Sequence, residues 1–404
     1  MAIRYHFYQL LLSLTVFSCF PILAAANEEM PVIAYWGVPG TESSEQSFRD
    51  FSECGFTASI YPYSSLNQLV KACRMAETYG IGIIGSCPEM VNDPVSTAQV
   101  MKNTKGFWGY LIQDEPNVPD IHLRQKEIDI LKKTDKGHLF YINLFPCYHK
   151  ERVKSAVKAN SYPEYLQVAS KTSCQQLSFD YYPITTDGIR PTWYYNLEMV
   201  RQEALASGKP FWGFVLCTPH DVPYDEGNFY PTPTLASLRL QVYSNLAYGA
   251  QAIQYFTYWT PDGRNSFHFH DGPIGLDGKK TKTYSLVQQM NRELRNISKL
   301  FHGAKVFSVH HLGTIPEGTT RQSTRPLNIR SLKIKGRKGA IISQLVKDGH
   351  QYLSIVNKDH ERNMTVKIKA QNSFPCQITK DLQEVKLNTS YVVMPGDLLL
   401  FKLK

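Results

Sequence analysis

Eight short β-rich runs recur between residues 32 and 261, and segments of helical periodicity separate them. In order they are VIAYWGVPG (32–40), GFTASIYPY (55–63), IGIIGSCPE (81–89), FWGYLIQDEP (107–116), HLFYINLFP (138–146), QLSFDYYP (176–183), FWGFVLCTP (211–219) and AIQYFTYWTP (252–261). The intervening SLNQLVKACRMAETYG puts Leu66, Leu69, Val70 and Cys73 on one face and stops at Gly80. LRQKEIDILKKTDKG and PTLASLRLQVYSNLAYGA behave the same way. Strands alternating with helices require a parallel sheet covered on both faces. Eight such units over about 250 residues match a TIM barrel, whose functional residues cluster where the strands end. A doubly wound dinucleotide fold is disfavoured, because the turn after the first run reads GVPG, not G-x-G-x-x-G.

After Gly303 the pattern changes. AIISQLVKDGHQYLSIVNKD reads as two strands joined across Lys347, Asp348 and Gly349, and further short strands follow to the end of the chain. The predicted organisation is a barrel over 27–303 and a small antiparallel β-sandwich over 304–404, whose default role is to pack against the barrel. The net charge of +9 is concentrated here, with 17 Lys and Arg against 7 Asp and Glu in 304–404. No nucleic-acid motif accompanies that charge, so it reads as a solvated basic face. Residues 1–26 read as an export leader: Arg4, an apolar run broken by Pro21, then Ala24-Ala25-Ala26. This predicts a secreted or periplasmic protein, with Cys19 after VFS as a poor lipoprotein signal. No later stretch is long enough to span a membrane. Seven scattered cysteines after the leader contain no C-x-x-C pair, so they frame neither a zinc ribbon nor a disulfide scaffold.

The fourth run ends in two adjacent carboxylates, Asp114 and Glu115, before Pro116. A tip facing a cavity raises the pKa of at least one of such a pair, which keeps a general acid protonated at neutral pH. Asp180 closes the sixth run, with Tyr181 and Tyr182 after it. Trp36, Tyr61 and Asn143 stand near the ends of runs one, two and five; aromatic faces and amides of this kind suit a pyranose ring.

IQDEP at the fourth strand resembles the Asn-Glu-Pro strand end of clan A glycoside hydrolases. The resemblance implies Glu115 as acid/base, Asp114 in place of the Asn that contacts the sugar 2-hydroxyl, and Trp259 as the aromatic under the sugar. The trailing β-domain is similar to accessory domains of secreted bacterial polysaccharide-utilisation enzymes. The chain departs from the clan at the seventh strand, where FWGFVLCTPHD holds no Glu and Asp221 comes several residues late. Two other schemes are also similar. The α-galactosidase clan pairs carboxylates from strands four and six, here Glu115 and Asp180. Substrate-assisted hexosaminidases use an adjacent Asp-Glu, here Asp114 and Glu115.

Histidines supply the competing chemistry. His220 and Asp221 follow the seventh run, and SFHFHD places His268, His270 and Asp271 after the eighth. A His-x-His beside a carboxylate can bind zinc, but these residues read first as a substrate-lining loop holding His220 and His268. The expectation is therefore a glycosidase acting on oligo- or polysaccharide without metal or cofactor. A non-catalytic sugar-binding barrel, or a metal-dependent barrel hydrolase using His220, His268 and His270, are the alternatives.

Overall fold

The structure is a computed structural model that describes residues 29–222, 225, 227–262 and 267–404. The expected leader and Cys19 lie outside the described residues. The eight runs form a closed parallel barrel of β1 (Val32–Tyr35), β2 (Ala58–Pro62), β3 (Gly82–Ser86), β4 (Phe107–Asp114), β5 (Leu139–Leu144), β6 (Leu177–Phe179), β7 (Phe211–Leu216) and β8 (Ala252–Phe256). Closure is made by β1, which pairs with β8 at Val32↔Ile253 and with β2 at Ile33↔Ala58.

Each strand is followed by a covering helix: α1 (Glu45–Glu53), α2 (Leu66–Glu77), α3 (Pro94–Met101), α4 (Val118–Thr134), α5 (Tyr162–Ser170), α6 (Trp193–Ser207), α7 (Leu235–Tyr248) and α8 (Lys282–Phe301). All but α6 begin at a Ser, Thr, Asp or Asn whose side chain accepts from an early helical N–H, which tells the chain where to turn from loop to helix. The stop after Glu115 is one of these. Pro116 leads into Asn117, whose Oδ1 accepts from Asp120 N at 3.1 Å in a capping box.

Side-chain alternation splits the barrel residues into two cores. Ile33, Tyr35, Ile60, Ile84, Leu139, Tyr141, Trp212 and Phe214 fill the lumen, whereas Val32, Ala34, Ile83, Tyr110, Ile142 and Ile253 pack outward under the helices.

The C-terminal lobe has two antiparallel sheets. One contains β9 (Lys305–Gly313), β11 (Gly339–Lys347), β12 (His350–Asn357), β17 (Leu398–Lys402), β14 (Cys376–Ile378) and β15 (Glu384–Val385), in that spatial order. The other contains β10 (Ile329–Lys335), β13 (Met364–Ala370) and β16 (Ser390–Val393). The predicted hairpin pairs Lys347 with His350 across Asp348-Gly349, and both turn residues have positive φ, as a tight two-residue turn requires. The larger sheet is buried on both faces. Ile342, Leu353 and Ile355 face the smaller sheet, while Ile341, Leu345, Val356 and Leu400 join the core under the barrel helices. All seven described cysteines are free, and all but Cys376 are buried.

An ionic knot locks the two lobes together. Glu293 on α8 accepts from Arg239 Nε on α7 at 2.9 Å, from Tyr243 OH at 2.9 Å and from Lys380 Nζ of the sandwich at 3.0 Å. Lys380 also reaches Asp397 at 2.7 Å. Burial alone would raise the Glu293 carboxyl, but Arg239 and Lys380 outweigh it and hold the group at about 2. Its contribution is therefore complete above the ordinary Glu range and is lost only as pH falls through about 2. Glu293→Ala leaves Arg239 and Lys380 to share Asp397 alone in a half-buried site. It is expected to lower unfolding stability by about 1–3 kcal/mol, read from urea denaturation at neutral pH.

Candidate active site

The carboxylate-bearing end of β4 depends on an irregularity in its pairing with β5. Leu111 pairs with Tyr141 and Gln113 with Ile142, so two steps of β4 oppose one step of β5. Ile112 and Gln113 consequently both point outward: Ile112 joins the helix-side core, and Gln113 Oε1 accepts from Arg124 Nε of α4 at 2.7 Å. The bulge shifts the parity of the strand, and Asp114, opposite Asn143, points into the barrel mouth. Glu115 then adopts φ 45°, a left-handed conformation uncommon for Glu, while its N–H donates to Asn143 O at 2.8 Å. Tyr165 of α5 fixes the turn behind it, its hydroxyl donating to Pro116 O at 2.7 Å.

Three carboxylates meet at this mouth. The Nδ2 group of Asn143 donates to Asp114 Oδ1 and to Asp180 Oδ1, both at 3.0 Å. Glu115 stands beside Asp180, close enough for the Asp180 charge to raise its carboxyl. Tyr35 lies beside Asp114, and Tyr182 beside Asp180. Beneath them a polar chain crosses the lumen. Ser178 Oγ donates to Asn143 Oδ1 at 3.1 Å, Gln254 Nε2 donates to Ser178 Oγ at 2.9 Å, and Tyr141 OH donates to Gln254 Oε1 at 2.7 Å. Such a chain orients Asn143 and, through it, both aspartates.

Desolvation, then the charges of Asp180 and Asp114, pushes Glu115 up to about 9. Desolvation and then Asp114 push Asp180 up to about 7. Asp114 is also raised by desolvation, with Asn143 and Tyr35 opposing the shift. Asp114 and Glu115 keep part of their surface open to water at the mouth, which moderates this push, but protein surrounds them on the remaining sides and the direction stands. At neutral pH the cluster keeps a proton, and Glu115 is the last of the three to release it.

The other expected residues separate into groups. Trp36, Tyr61 and Trp259 line one cleft of about 620 Å³ at the ends of β1, β2 and β8, together with Glu42, Asp262 and Leu276. Trp36 stands edge-on to Tyr61 at 6.0 Å and has φ 51°, so its indole faces the cleft edge rather than the lumen filled by Tyr35. Asn143, expected to touch sugar, is 1% exposed and uses both lobes of its amide internally. Tyr182 is buried against Asp180, its N–H donating to Tyr148 OH at 3.2 Å.

The histidines do not converge. His220 is buried among Tyr182, Tyr230, Phe256 and Phe269, with Nδ1 bonded to Thr218 O at 2.9 Å; desolvation lowers its pKa to about 4. His268 is exposed and paired with Asp221, and exposed His270 pairs with Asp271 at 3.0 Å. Among the described residues no three His, Cys, Asp or Glu side chains are grouped to hold a metal ion, so the zinc alternative lacks a ligand set. The aromatic cage around His220 and the separate surface pairings are the reason.

The sequence reading missed Tyr35, Tyr141, Ser178 and Gln254. Ser178 and Gln254 carried a signal, as polar residues inside otherwise apolar strands. Tyr35 looked like any core aromatic.

Raised carboxyl pKa values have a definite sign. The folded state binds more protons than the unfolded chain between the ordinary carboxylate range near 4 and the folded values. The melting temperature is therefore expected to fall as pH rises from about 5 to about 9. Glu115→Gln should flatten that fall and raise the melting temperature at the alkaline end, as scanning calorimetry would show.

Residues 121–297 match the family model described as "Beta-galactosidase", glycoside hydrolase family 42. No curated protein matches the chain by sequence. Among solved structures, a beta-galactosidase from Bacillus circulans sp. alkalophilus is similar with a TM-score of 0.66 at 9% identity, over 93% of this chain and 99% of that one. A catalytic mutant of a family 42 beta-galactosidase from G. stearothermophilus gives 0.60 at 7% identity, over 93% and 98%. A beta-galactosidase from the psychrophilic Marinomonas ef1 gives 0.51 at 10% identity, over 67% of this chain and 60% of that one, so the chain spans less than two thirds of that enzyme's length. At these identities the structural likeness speaks for the fold alone, and the family model matches 121–297 within the barrel. The fold as a whole is similar to that of these (β/α)8 glycoside hydrolases.

Proposed function

We propose that the chain cleaves O-glycosidic bonds with Glu115 as general acid/base and Asp180 as the second carboxylate, and that β-galactosides are the first substrates to try. The observation that carries this reading is the gathering of Glu115, Asp114 and Asp180 around Asn143 at the mouth, with Glu115 holding its proton to higher pH than Asp180. Two carboxyls whose surroundings push their pKa values apart divide into an acid and an anion. Protonated Glu115 gives its proton to the leaving oxygen as the bond from the anomeric carbon breaks. Asp180 bonds to that carbon as the leaving oxygen departs; Glu115, now a carboxylate, then takes a proton from the water whose oxygen displaces Asp180 and frees the sugar.

Asp114 serves as the partner instead if the substrate carries an acetamido group. Trp36, Tyr61 and Trp259 form the sugar-stacking side of the mouth. The Ala24-Ala25-Ala26 leader directs the chain out of the cytoplasm.

One observation favours a second reading, a sugar-binding barrel without turnover. The end of β7 carries Cys217 and Thr218, both buried and bonded to Thr257 through Cys217 Sγ at 3.0 Å and Thr218 Oγ1 at 3.0 Å. The clan resemblance expects a Glu nucleophile at that strand end.

Glu115→Gln and Asp180→Asn are each expected to lower kcat on an aryl β-galactoside by about 10²–10⁴-fold. Proton NMR of the first-formed anomer should show retention. A wild-type protein that binds galactosides but turns none over establishes the second reading. An inverted product removes Asp180 from the nucleophile role.

A further inference from the structure

Arg190 sits in the loop between β6 and α6, on the side of the mouth formed by the β5, β6 and β7 loops. Its guanidinium is stacked between two tyrosines, 4.7 Å from the Tyr148 ring centre and 5.6 Å from that of Tyr230. Nη2 donates to Tyr230 OH at 3.3 Å, while Nε is buried with no hydrogen-bond partner. Among the described residues no carboxylate pairs with it. The two flanking rings are the ones that pack around the catalytic cluster. Tyr148 OH accepts from the Tyr182 N–H at 3.2 Å, Tyr230 packs edge-on against Tyr182 at 5.7 Å, and Tyr182 lies beside Asp180. Arg190 therefore stands one aromatic ring away from Asp180.

A guanidinium placed to neutralise the carboxylates would bond to them and hold their pKa values down; instead all three are raised and none is ion-paired to an Arg or Lys. Tyrosine stacking accounts for the plane of the group but leaves its charge and its inner N–H without a counterpart. The planar fork of Arg matches a carboxylate or a sulfate better than it matches a neutral hydroxyl.

We infer that Arg190 selects a sugar bearing a negative substituent, a uronate carboxylate or a sulfate ester, and pairs with it on the β5–β7 side of the mouth. The inference rests on the reading of the mouth as a sugar site. It places the aromatic cleft of Trp36, Tyr61 and Trp259 and the cation on opposite sides of the carboxylates. A ring is stacked on one side and its charge, or that of the neighbouring unit, is read on the other.

The test is binding to the Glu115→Gln protein by titration calorimetry, with methyl β-galactopyranoside, the corresponding C6 uronate, and its 6-sulfate as probes. At least one anionic probe should bind on the order of 10- to 100-fold more tightly than the neutral one, as a charge-assisted pair provides. That advantage should shrink with added salt, and adding Arg190→Gln should abolish it. Arg190→Lys keeps the charge and should retain most of the preference, which separates charge recognition from tyrosine packing. Whichever probe gains identifies the substituent. Anionic probes that bind no better than the neutral one, that do not bind at all, or whose advantage survives Arg190→Gln overturn the inference. Because the readout is discrimination between ligands, its failure is distinct from failure of the glycosidase reading, which shows as absent turnover by the wild-type protein.

Discussion

Alternation of side chains in a closed ring of parallel strands is the constraint on which the rest depends. Every residue of such a barrel faces either the lumen or the helices, and one slipped position exchanges the two sets. In β4 that exchange occurs once near the tip, at Leu111–Gln113 against Tyr141–Ile142. The slip sends Gln113 to the α4 side and turns Asp114 toward Asn143. In an unbulged β4, Gln113 would occupy the lumen and Asp114 would face Arg124, where a salt bridge would lower its pKa instead of raising it. The chemistry of the mouth thus follows from one extra residue in a ladder.

The carboxylates then depend on one amide. The Nδ2 group of Asn143 bridges Asp114 and Asp180 and is held in orientation by Ser178 and Gln254 from two other strands and Tyr141 from its own. A neutral donor satisfies the lone pairs of both acids without supplying a charge that would fix them as anions. The proton economy of the cluster is left to burial and mutual repulsion, which is the condition under which one acid stays protonated beside another.

Much of the architecture was legible because it is written in short-range pattern. Strands buried on both faces read as brief apolar runs, Ser, Thr, Asp and Asn caps mark the helix starts, and Asp348-Gly349 marks its hairpin. The candidate acids were also visible, since Asp114, Glu115 and Asp180 end strands where the barrel opens. What was not visible depends on three dimensions. Nothing in the letters QDE says that a bulge chooses Asp114 over Gln113. Asn143 looked like a ligand contact because it stands near a strand end, yet neighbours across the lumen occupy all of its polar atoms. The S-F-H-F-H-D spacing suggested metal, but His220 is enclosed by aromatic rings while His268 and His270 pair with separate surface carboxylates. Arg190 carried no motif at all; only the two rings that enclose it make it conspicuous.

The larger sheet of the C-terminal lobe, buried on both faces, bears on how this chain can be cut and recombined. Leu345, Val356 and Leu400 belong to the same continuous core as Leu238, Val242 and Leu246 of α7, the helix that follows β7. Tyr248 at the end of α7 shares a buried hydrogen bond of 2.8 Å with His311 of β9. The barrel alone would therefore expose a sheet-sized apolar face on the quarter that carries its last two loops. The lobe is structurally a ninth wall of the barrel rather than a cargo module, and shuffling it between enzymes would carry α7 with it.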